Sequence, residues 1–561
     1  MQSISKEATR RLLKISALVI AVLVVMTGAT AYLLLRKSLP PVDGALSEMQ
    51  LSAPVTIERD SLGVPTITAS TRSDLAYGTG FVHGQDRFFQ MDLSRRLAAG
   101  ELAEIFGDAA LEQDRSTRLF RFRHVAAQVL EQASPEEKEV LTAYTHGVNA
   151  GLNSLGPPPW EYWLLREQPR AWTEIDTILV IHAMWWDLQY DGLQREKVRR
   201  AVNAKLSGPD CGFGWKCNLQ YLYPASTKWD SPNITGEPVI TMPGVSLPIP
   251  PELNIRTKAN VTVVQNSDAT SPRDRIPPVV GSNSWAVAGS LTATGAALVA
   301  NDMHLGLGMP TTWYRVRLRM PAQDDVPALD LNGLSLPGTP TISTGSNGHI
   351  AWGFTNSYGD WLDLERFSCT EVTDSVLKTP QGDVLTAGLD ISKERPDVPP
   401  QFEGPLWEIV TTRPESLLAR QYADWREFLL TQVDLTLSDL RESCATLERC
   451  MWGSHDLVAI RHPLSEALPV GASLLDMKTL QLPGDRDMPR VQEGAFGASA
   501  RFAVSPGHEA KGYIHIAGGQ SGHPLSPWYR AGFDAWIRGT PLPFLPGPAR
   551  HRLTLMPPAD P

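Results

Sequence analysis

Gly281-Ser282-Asn283-Ser284-Trp285, followed by Ala300-Asn301-Asp302-Met303-His304-Leu305-Gly306, is the stretch whose reading decides the fold. Ser282 follows a glycine at the end of a polar, proline-rich stretch and precedes an alternating apolar run, which predicts the exposed start of a buried strand. Trp285-Ala286-Val287 and Ala297-Leu298-Val299 flank a turn at Thr294-Gly295, predicting a hairpin that buries the serine's strand. If the Gly281–Ser282 bond were cut, Ser282 would carry a hydroxyl and a free α-amine, and an α-amine with a pKa of about 7.7–8.0 acts as a base near neutral pH. One residue then serves as nucleophile and general base.

Working outward, two other blocks belong with it. Gly80-Phe81-Val82-His83-Gly84-Gln85-Asp86-Arg87, running on through Arg95-Arg96-Leu97-Ala98-Ala99-Gly100 to Gly107, precedes it, and Gly519-Gln520-Ser521-Gly522-His523-Pro524-Leu525-Ser526-Pro527 follows it. In their order and separation the three blocks resemble the penicillin acylase family of N-terminal-nucleophile hydrolases, which includes cephalosporin and acyl-homoserine lactone acylases. The resemblance implies an α+β fold, the αββα four-layer sandwich, with Ser282 as the nucleophile. It gives His304 a place near the serine hydroxyl, where the ring could assist proton transfer and the backbone could support an oxyanion. It gives the backbone N–H of Asn356 the part of one oxyanion donor. Asp360 and Asp363 match carboxylates that hold a structural Ca²⁺ in the family, with Glu196 as a looser third match, and oxygen ligands suit that ion. Without the resemblance, His304 reads as a structural histidine, Asn356 as a loop asparagine and the aspartates as loop polar residues.

The same comparison divides the chain into a segment over 1–37, a largely helical region over 51–206, a spacer over 207–281 and a catalytic region over 282–561. The spacer is rich in Gly, Pro, Ser, Thr and Asn, and its position matches a segment excised or displaced at maturation, leaving two chains that stay associated. Trp160, Tyr162, Trp163, Trp172, Trp185 and Trp186 fall where the family lines its acyl pocket, although any one of them taken singly reads better as helical packing. The resemblance runs from Val55 to about Leu364 and resumes near Pro405-Leu406-Trp407. The shortened middle, near 366–404, stands where the family carries a longer region with the asparagine that completes the oxyanion hole, and this chain has no asparagine after Asn356.

Local patterns fill in the rest. Val55-Thr56-Ile57 and Val64-Pro65-Thr66-Ile67 predict two strands across the turn Asp60-Ser61-Leu62-Gly63. A helix is expected from an N-cap at Ser73 toward Gly107, with Gly78 and Gly80 as weak points. Ser134-Pro135-Glu136-Glu137 is a capping box with proline at the first helical position. Tyr314, Val316, Leu318 and Met320 alternate with Arg315, Arg317 and Arg319, a strand whose arginines read as a solvated face. Asn347-Gly348 is a hairpin turn signal.

Composition bounds the function. The 561 residues are 42% hydrophobic and 20% charged, which is ordinary for a globular protein. Lys plus Arg number 51 against 61 Asp plus Glu, a net charge of −10, and no basic cluster follows a phosphate backbone, so nucleic acid is not an expected partner. Ile15 to Leu35 carries no charge, lies between Lys6, Arg10, Arg11, Lys14 and Arg36, Lys37, and exceeds the roughly 7–15 residues of a cleavable signal core. It predicts a single-pass membrane anchor with the body on the outer or periplasmic side. The competing reading, a signal peptide cut at Ala29-Thr30-Ala31, exports the body as well. Cys211/Cys217 and Cys444/Cys450 share one spacing and leave Cys369 over, compatible with short-loop disulfides or with free thiols.

The expected function is an exported, self-processing amidohydrolase that cleaves an N-acyl amide, with penicillins and acyl-homoserine lactones as candidate small-molecule substrates. The alternative is a catalytically impaired, membrane-anchored acyl-binding paralogue. A Ser-His-Asp hydrolase is disfavoured, because no Gly-x-Ser-x-Gly elbow accompanies a fitting order of partners.

Overall fold

A computed structural model describes residues 2–47, 49–189, 282–322, 327–356, 371–372, 376–379, 382–385, 457–468, 472–482 and 492–558. The chain forms two units: Met1–Ala183 with Ser282–Thr355 and Val458–Pro561, and Met184–Gly281 with Asn356–Leu457. Among the described residues of the second unit, β10 (Glu371–Val372), β11 (Val376–Thr379) and β12 (Gly382–Leu385) make an antiparallel meander.

The first unit mixes helix and sheet. It opens with α1 (Gln2–Lys37), of which Leu13–Lys37 has a mean hydropathy of 2.5, is exposed along its apolar stretch until Leu35 meets the body, and is long and apolar enough to cross a bilayer. Then come β1 (Gly44–Leu46), β2 (Val55–Arg59) and β3 (Pro65–Thr68). Five short or medium helices follow the long α2 (Arg72–Ala99): α3 (Ala103–Phe106), α4 (Leu111–Arg118), α5 (Phe122–Gln132), α6 (Pro135–Asn153) and α7 (Trp160–Leu165). After residue 282 the chain forms β4 (Asn283–Val287), β5 (Leu298–Gly306), β6 (Tyr314–Met320), β7 (Leu329–Ser335), β8 (Ile342–Ser346) and β9 (Ala351–Trp352). The C-terminal part adds β13 (Leu457–Val458), β14 (Leu480–Gln481), β15 (Gln492–Glu493), β16 (Phe496–Val504), β17 (Tyr513–Ile516) and β18 (His551–Leu555).

An eight-stranded sheet runs β1-β18-β2-β3-β6-β7-β8-β9, parallel at β1/β18 and β3/β6 and antiparallel elsewhere. Strands from both sides of residue 282 therefore alternate in one sheet. A smaller sheet runs β15-β16-β5-β4, with β17 on β16. The main core lies where α2 covers the large sheet: Leu75, Tyr77, Phe81 and Val82 meet Val55, Ile57, Ile67, Val316, Leu318 and Leu553, all buried. Burying side chains of this size is the main favourable term, at about 25 cal/mol per Å² of apolar surface.

α2 departs from its sequence reading in an instructive way. Its N-cap is Thr71, whose side chain accepts the Asp74 N–H, and its stop is Gly100 at φ 67, a left-handed cap that ends it before Gly107. Gly80 and Gly84 lie against the backbone of α6 at Tyr144 and Val148, while Gly147 and Gly151 of α6 lie against Tyr77 and Phe81. A Cβ at any of the four would overlap a backbone carbonyl. Of the two positions that look weak by helix propensity, Gly80 lets two helices approach closely and Gly78 lets the helix lie against Ile67 and Val55 of the sheet. α6 itself starts as expected, with Ser134 and Glu137 capping each other reciprocally.

The arginine face of β6 needs a second correction. Arg319 is exposed and Arg317 pairs with Asp330 at 2.6 Å, but Arg315 is 4% exposed and donates to the Pro543 carbonyl at 2.8 Å. Period-two alternation separates two faces, yet it does not say that the polar one also receives a covering segment. The Asn347-Gly348 turn forms as read, with Gly348 at φ 85 and Asn347 accepting from His349 and Ile350.

Candidate active site

β4 and β5 form the expected hairpin, in the register Asn283↔Asp302, Ser284↔Asn301, Trp285↔Ala300. The serine's strand is not buried, however. Among the described residues β4 is the edge of its sheet, and Trp285 is 53% exposed. A strand needs a neighbour on each side to be enclosed, and β4 has β5 on one side only.

Ser282 stands just before β4, half-buried. Its Oγ accepts the backbone N–H of His304 at 3.2 Å. The His304 ring turns elsewhere: Nε2 lies 2.9 Å from Asp302 Oδ2, on the same face of β5 two residues away. The other oxygen of Asp302 accepts the Asn283 N–H at 3.1 Å, so one carboxylate ties the residue after Ser282 to the imidazole. On the opposite face, buried Asn301 donates through Nδ2 to the carbonyls of Asn283 (2.7 Å) and Phe354 (3.0 Å) and accepts from the Phe354 N–H (3.3 Å). Gly353 is required there, since a Cβ would collide with the Asn301 side chain. Neither Asp302 nor Asn301 was assigned a role from sequence. Their parts depend on the cross-strand register, and the only prior signal was two side chains of hydrogen-bonding type flanking an otherwise apolar strand.

Opposite the site, the β5/β16 ladder shifts register between Ala498 and Ala500. The extra residue, Ser499, donates to the Met303 carbonyl at 2.8 Å and accepts the Trp313 indole N–H at 3.0 Å. A bulge at this point re-aims the backbone next to His304.

Farther out, buried Arg87 of α2 joins the blocks that sequence reading grouped. Its guanidinium donates to the carbonyls of Gln520 (2.6 Å), Gly519 (2.7 Å) and Trp313 (3.4 Å), to Thr311, and to Gln90 Oε1. Gln520 imitates a strand neighbour, its amide accepting from Arg315 N–H at 3.1 Å and donating to Arg315 O at 2.7 Å. Gly522 N–H closes on Asp86 O at 2.8 Å.

Of the other residues read from sequence, Asn356 belongs to the second unit, where its side chain accepts from Gln189 at 2.7 Å and donates to Leu188 O at 3.3 Å. Glu196, Asp360 and Asp363 lie outside the described residues, as do the 207–281 spacer, the shortened middle near 366–404 and all five cysteines. Among the described residues, no group of three or more His, Cys, Asp or Glu side chains is arranged to hold a metal. Trp160, Tyr162 and Trp172 sit in a core cluster with Phe88 and Phe89, which is packing.

A family model described as Penicillin amidase matches residues 54–382 and 371–551. The penicillin acylase 2 proenzyme of Pseudomonas sp. (strain SE83) is 33% identical over 340 residues, covering 59% of this chain and 40% of that protein. The acyl-homoserine lactone acylase QuiP of Pseudomonas aeruginosa is 31% identical over 330 residues, covering 58% of this chain and 36% of the other. The penicillin G acylase of Escherichia coli is 25% identical, covering 61% and 43%. A solved thermostable penicillin G acylase from Alcaligenes faecalis aligns at 28% identity over 28% of this chain and 86% of that one, with a TM-score of 0.25. The matched regions thus span about two fifths of the length of these curated relatives.

Proposed function

Because the chain belongs to the penicillin amidase family, we propose that it is an N-acyl amide hydrolase with Ser282 as its nucleophile, made active by its own cleavage. The observation that carries this is the donation of the His304 N–H to Ser282 Oγ at 3.2 Å. A backbone donor at that oxygen favours its anionic form and fixes its direction.

In the first step Ser282 Oγ attacks the Gly281 carbonyl carbon. The Gly281–Ser282 C–N bond breaks as the C–O bond of an ester forms, and the departing nitrogen takes up the hydroxyl proton. Water then hydrolyses the ester, restoring the hydroxyl and leaving a free α-amine. In turnover that amine, directly or through a water, accepts the Oγ proton while Oγ attacks the substrate amide carbon; the C–N bond then breaks as the leaving amine takes that proton, and water hydrolyses the acyl ester to release the acid and restore the hydroxyl. Asp302 orients the His304 ring and the Asn283 N–H, keeping the strand in line with the serine. Asn356 N–H is kept as a proposed oxyanion donor. Asp360, Asp363 and Glu196 are proposed as oxygen ligands of a structural Ca²⁺ that takes no part in bond breaking.

The fold proposed is the αββα sandwich of N-terminal-nucleophile hydrolases, and the substrates proposed are penicillins or acyl-homoserine lactones. The body is proposed to be exported and tethered by α1. Support for a retained anchor comes from its end: Ser38 Oγ and the Leu35 carbonyl both lie 3.0 Å from His523 Nε2, so the chain enters the body with no free linker. A second reading, an impaired acyl-binding paralogue, is favoured by one observation, the uncovered edge of β4.

Terminal sequencing of the purified protein tests the main reading. A fragment beginning at Ser282, absent from Ser282→Ala, is expected; a wild type that hydrolyses amides as one uncut chain would overturn it.

A further inference from the structure

Away from the Ser282 hairpin, a partly open cleft is lined by Ser38, Asp86, Phe89, Trp160, Glu161 and His523. Four buried polar atoms at or beside it have no hydrogen-bond partner: Asp86 Oδ1, Glu161 Oε2, Trp160 Nε1 and His462 Nε2. Native proteins leave few such atoms, and four in neighbouring residues call for a guest.

The charges decide what kind. Asp86 is already offset, its other oxygen meeting Arg59 at 2.8 Å and the Tyr314 hydroxyl at 2.6 Å. Arg87 is spent on four backbone carbonyls and Gln90. Glu161 is different: buried, with no cation closer than His462 Nε2 at 3.9 Å, which is beyond a hydrogen bond. His462 Nδ1 accepts the Leu464 N–H at 3.1 Å, so the single proton of its neutral ring sits on Nε2. Burial holds that ring down to about 4 and pushes the Glu161 carboxyl up to about 8. Tyr162 on the same helix and Tyr529 from the C-terminal segment face it too, and neither brings positive charge. The Glu161 carboxyl must therefore hold a proton or receive a cation.

Two orphan acceptors ask for N–H donors of a cation. Two orphan donors, Trp160 Nε1 and His462 Nε2, ask for an oxygen. Phe89 and Trp160 supply aromatic surface, which suits a cationic group. We propose that this cleft binds a small primary ammonium bearing a hydroxyl, with Glu161 as its counter-charge. Free amino alcohol and the ethanolamine headgroup of a phospholipid share the primary ammonium, the headgroup offering phosphate oxygen in place of the hydroxyl, and Ser38, the first residue after α1, puts one wall of the cleft at that helix's end. The site shares no residue with the hairpin and stands independently of the acylase reading.

Calorimetry on the full chain in detergent tests it, with ethanolammonium chloride as the probe at pH 7 and choline, which has no N–H, as the comparison. Ethanolammonium should bind with release of about one proton, read from the dependence of the heat on buffer, because Glu161 ionises on binding. Glu161→Gln should raise Kd on the order of tenfold to a hundredfold, the loss of one charge-assisted hydrogen bond. Trp160→Phe, which keeps the packing, should raise it less, and Ser282→Ala should not change it. Tighter association with phosphatidylethanolamine than with phosphatidylcholine nanodiscs, lost in Glu161→Gln, would assign the ligand to a lipid; binding of the free amine alone would assign it to a solute. Wild type that prefers neither ethanolammonium to choline nor one lipid to the other, binding without proton release, or Glu161→Gln that binds like wild type would each overturn the proposal.

Discussion

His304 meets Ser282 through its backbone, the N–H 3.2 Å from Oγ, while its imidazole is held 2.9 Å from Asp302. Side-chain loss at His304 should therefore spare the donor and disturb only the ring's hold on the strand. Processing of His304→Ala should proceed, more slowly than wild type, whereas Asp302→Ala, which frees both the ring and the Asn283 N–H, should destabilise by about 1–2 kcal/mol. Cleavage time courses and thermal melts check this, and a complete block in His304→Ala would mean the ring carries the proton itself.

Turnover should be slow. Among the described residues β4 is covered on one side only, and a displacement of about 1 Å at a nucleophile can cost on the order of 10²-fold. Absence of one oxyanion donor costs about 2.7–4 kcal/mol, or 10²–10³ in kcat. Measured on a phenylacetyl amide and a panel of acyl-homoserine lactones, with Ser282→Ala as blank, kcat/KM should fall at least that far below a full-length relative. Equal rates would remove the paralogue reading.

The glycines between α2 and α6 carry a sharp expectation. Ala for Gly84 gains about 1 kcal/mol of helix propensity, but its Cβ meets the Val148 carbonyl, and overpacking costs about 1–3 kcal/mol. Because the obstacle is backbone and cannot swing aside, the clash wins, and the melting temperature should drop. Gly306→Ala, with nothing within reach of its Cβ, should not show that loss.

Those glycines also mark what local reading could and could not reach. Ser134 and Glu137 satisfy each other within one turn, so their pattern sufficed. Gly78 and Gly80 looked like weak points because propensity has no knowledge of the sheet that faces Gly78 or of the second helix that faces Gly80. Arg315 looked solvated because alternation does not reveal the segment around Pro543. At the site, Ser282 and His304 were legible through glycine, strand pattern and block order, whereas Asp302 acquires its part only when β4 and β5 pair in one register.

Stability should peak near neutral pH. Burial lowers His83 to about 3 and His462 and His523 to about 4 from 6.5, with His182 and His515 moved in the same direction. Below pH 6.5 the unfolded chain binds protons at these rings that the folded one refuses, so their contribution is whole above 6.5 and is lost as pH falls toward 4. Glu161, raised from 4.5 to about 8, has the opposite sign: its contribution is whole below 4.5 and is lost as pH rises through 8. Below neutrality the histidines outnumber it, and above their range Glu161 sets the decline toward pH 8. Melting curves should show that maximum, and Glu161→Gln should steepen the acid arm above pH 4.5 and flatten the alkaline one; a wild-type curve still climbing at pH 8 would contradict the assignment.

The docking of Leu35 and Ser38 on His523 should shield the Arg36–Lys37 bond region. In detergent, limited trypsin should cut there faster in His523→Ala than in wild type, and carbonate washing should leave uncut wild type in the membrane. A mature start near Tyr32 would instead make α1 a leader.

The large sheet interleaves β1–β3, from before residue 282, with β6–β9 and β18, from after it. Neither part completes the large sheet alone, so the chain must complete its fold before any cut at Gly281–Ser282, or that sheet would have nothing to hold its pieces together. After the cut, unfolding becomes dissociation. The reaction changes molecularity: refolding turns second order, and the midpoint of thermal unfolding comes to depend on protein concentration by mass action, as it does for an obligate dimer and for no single chain.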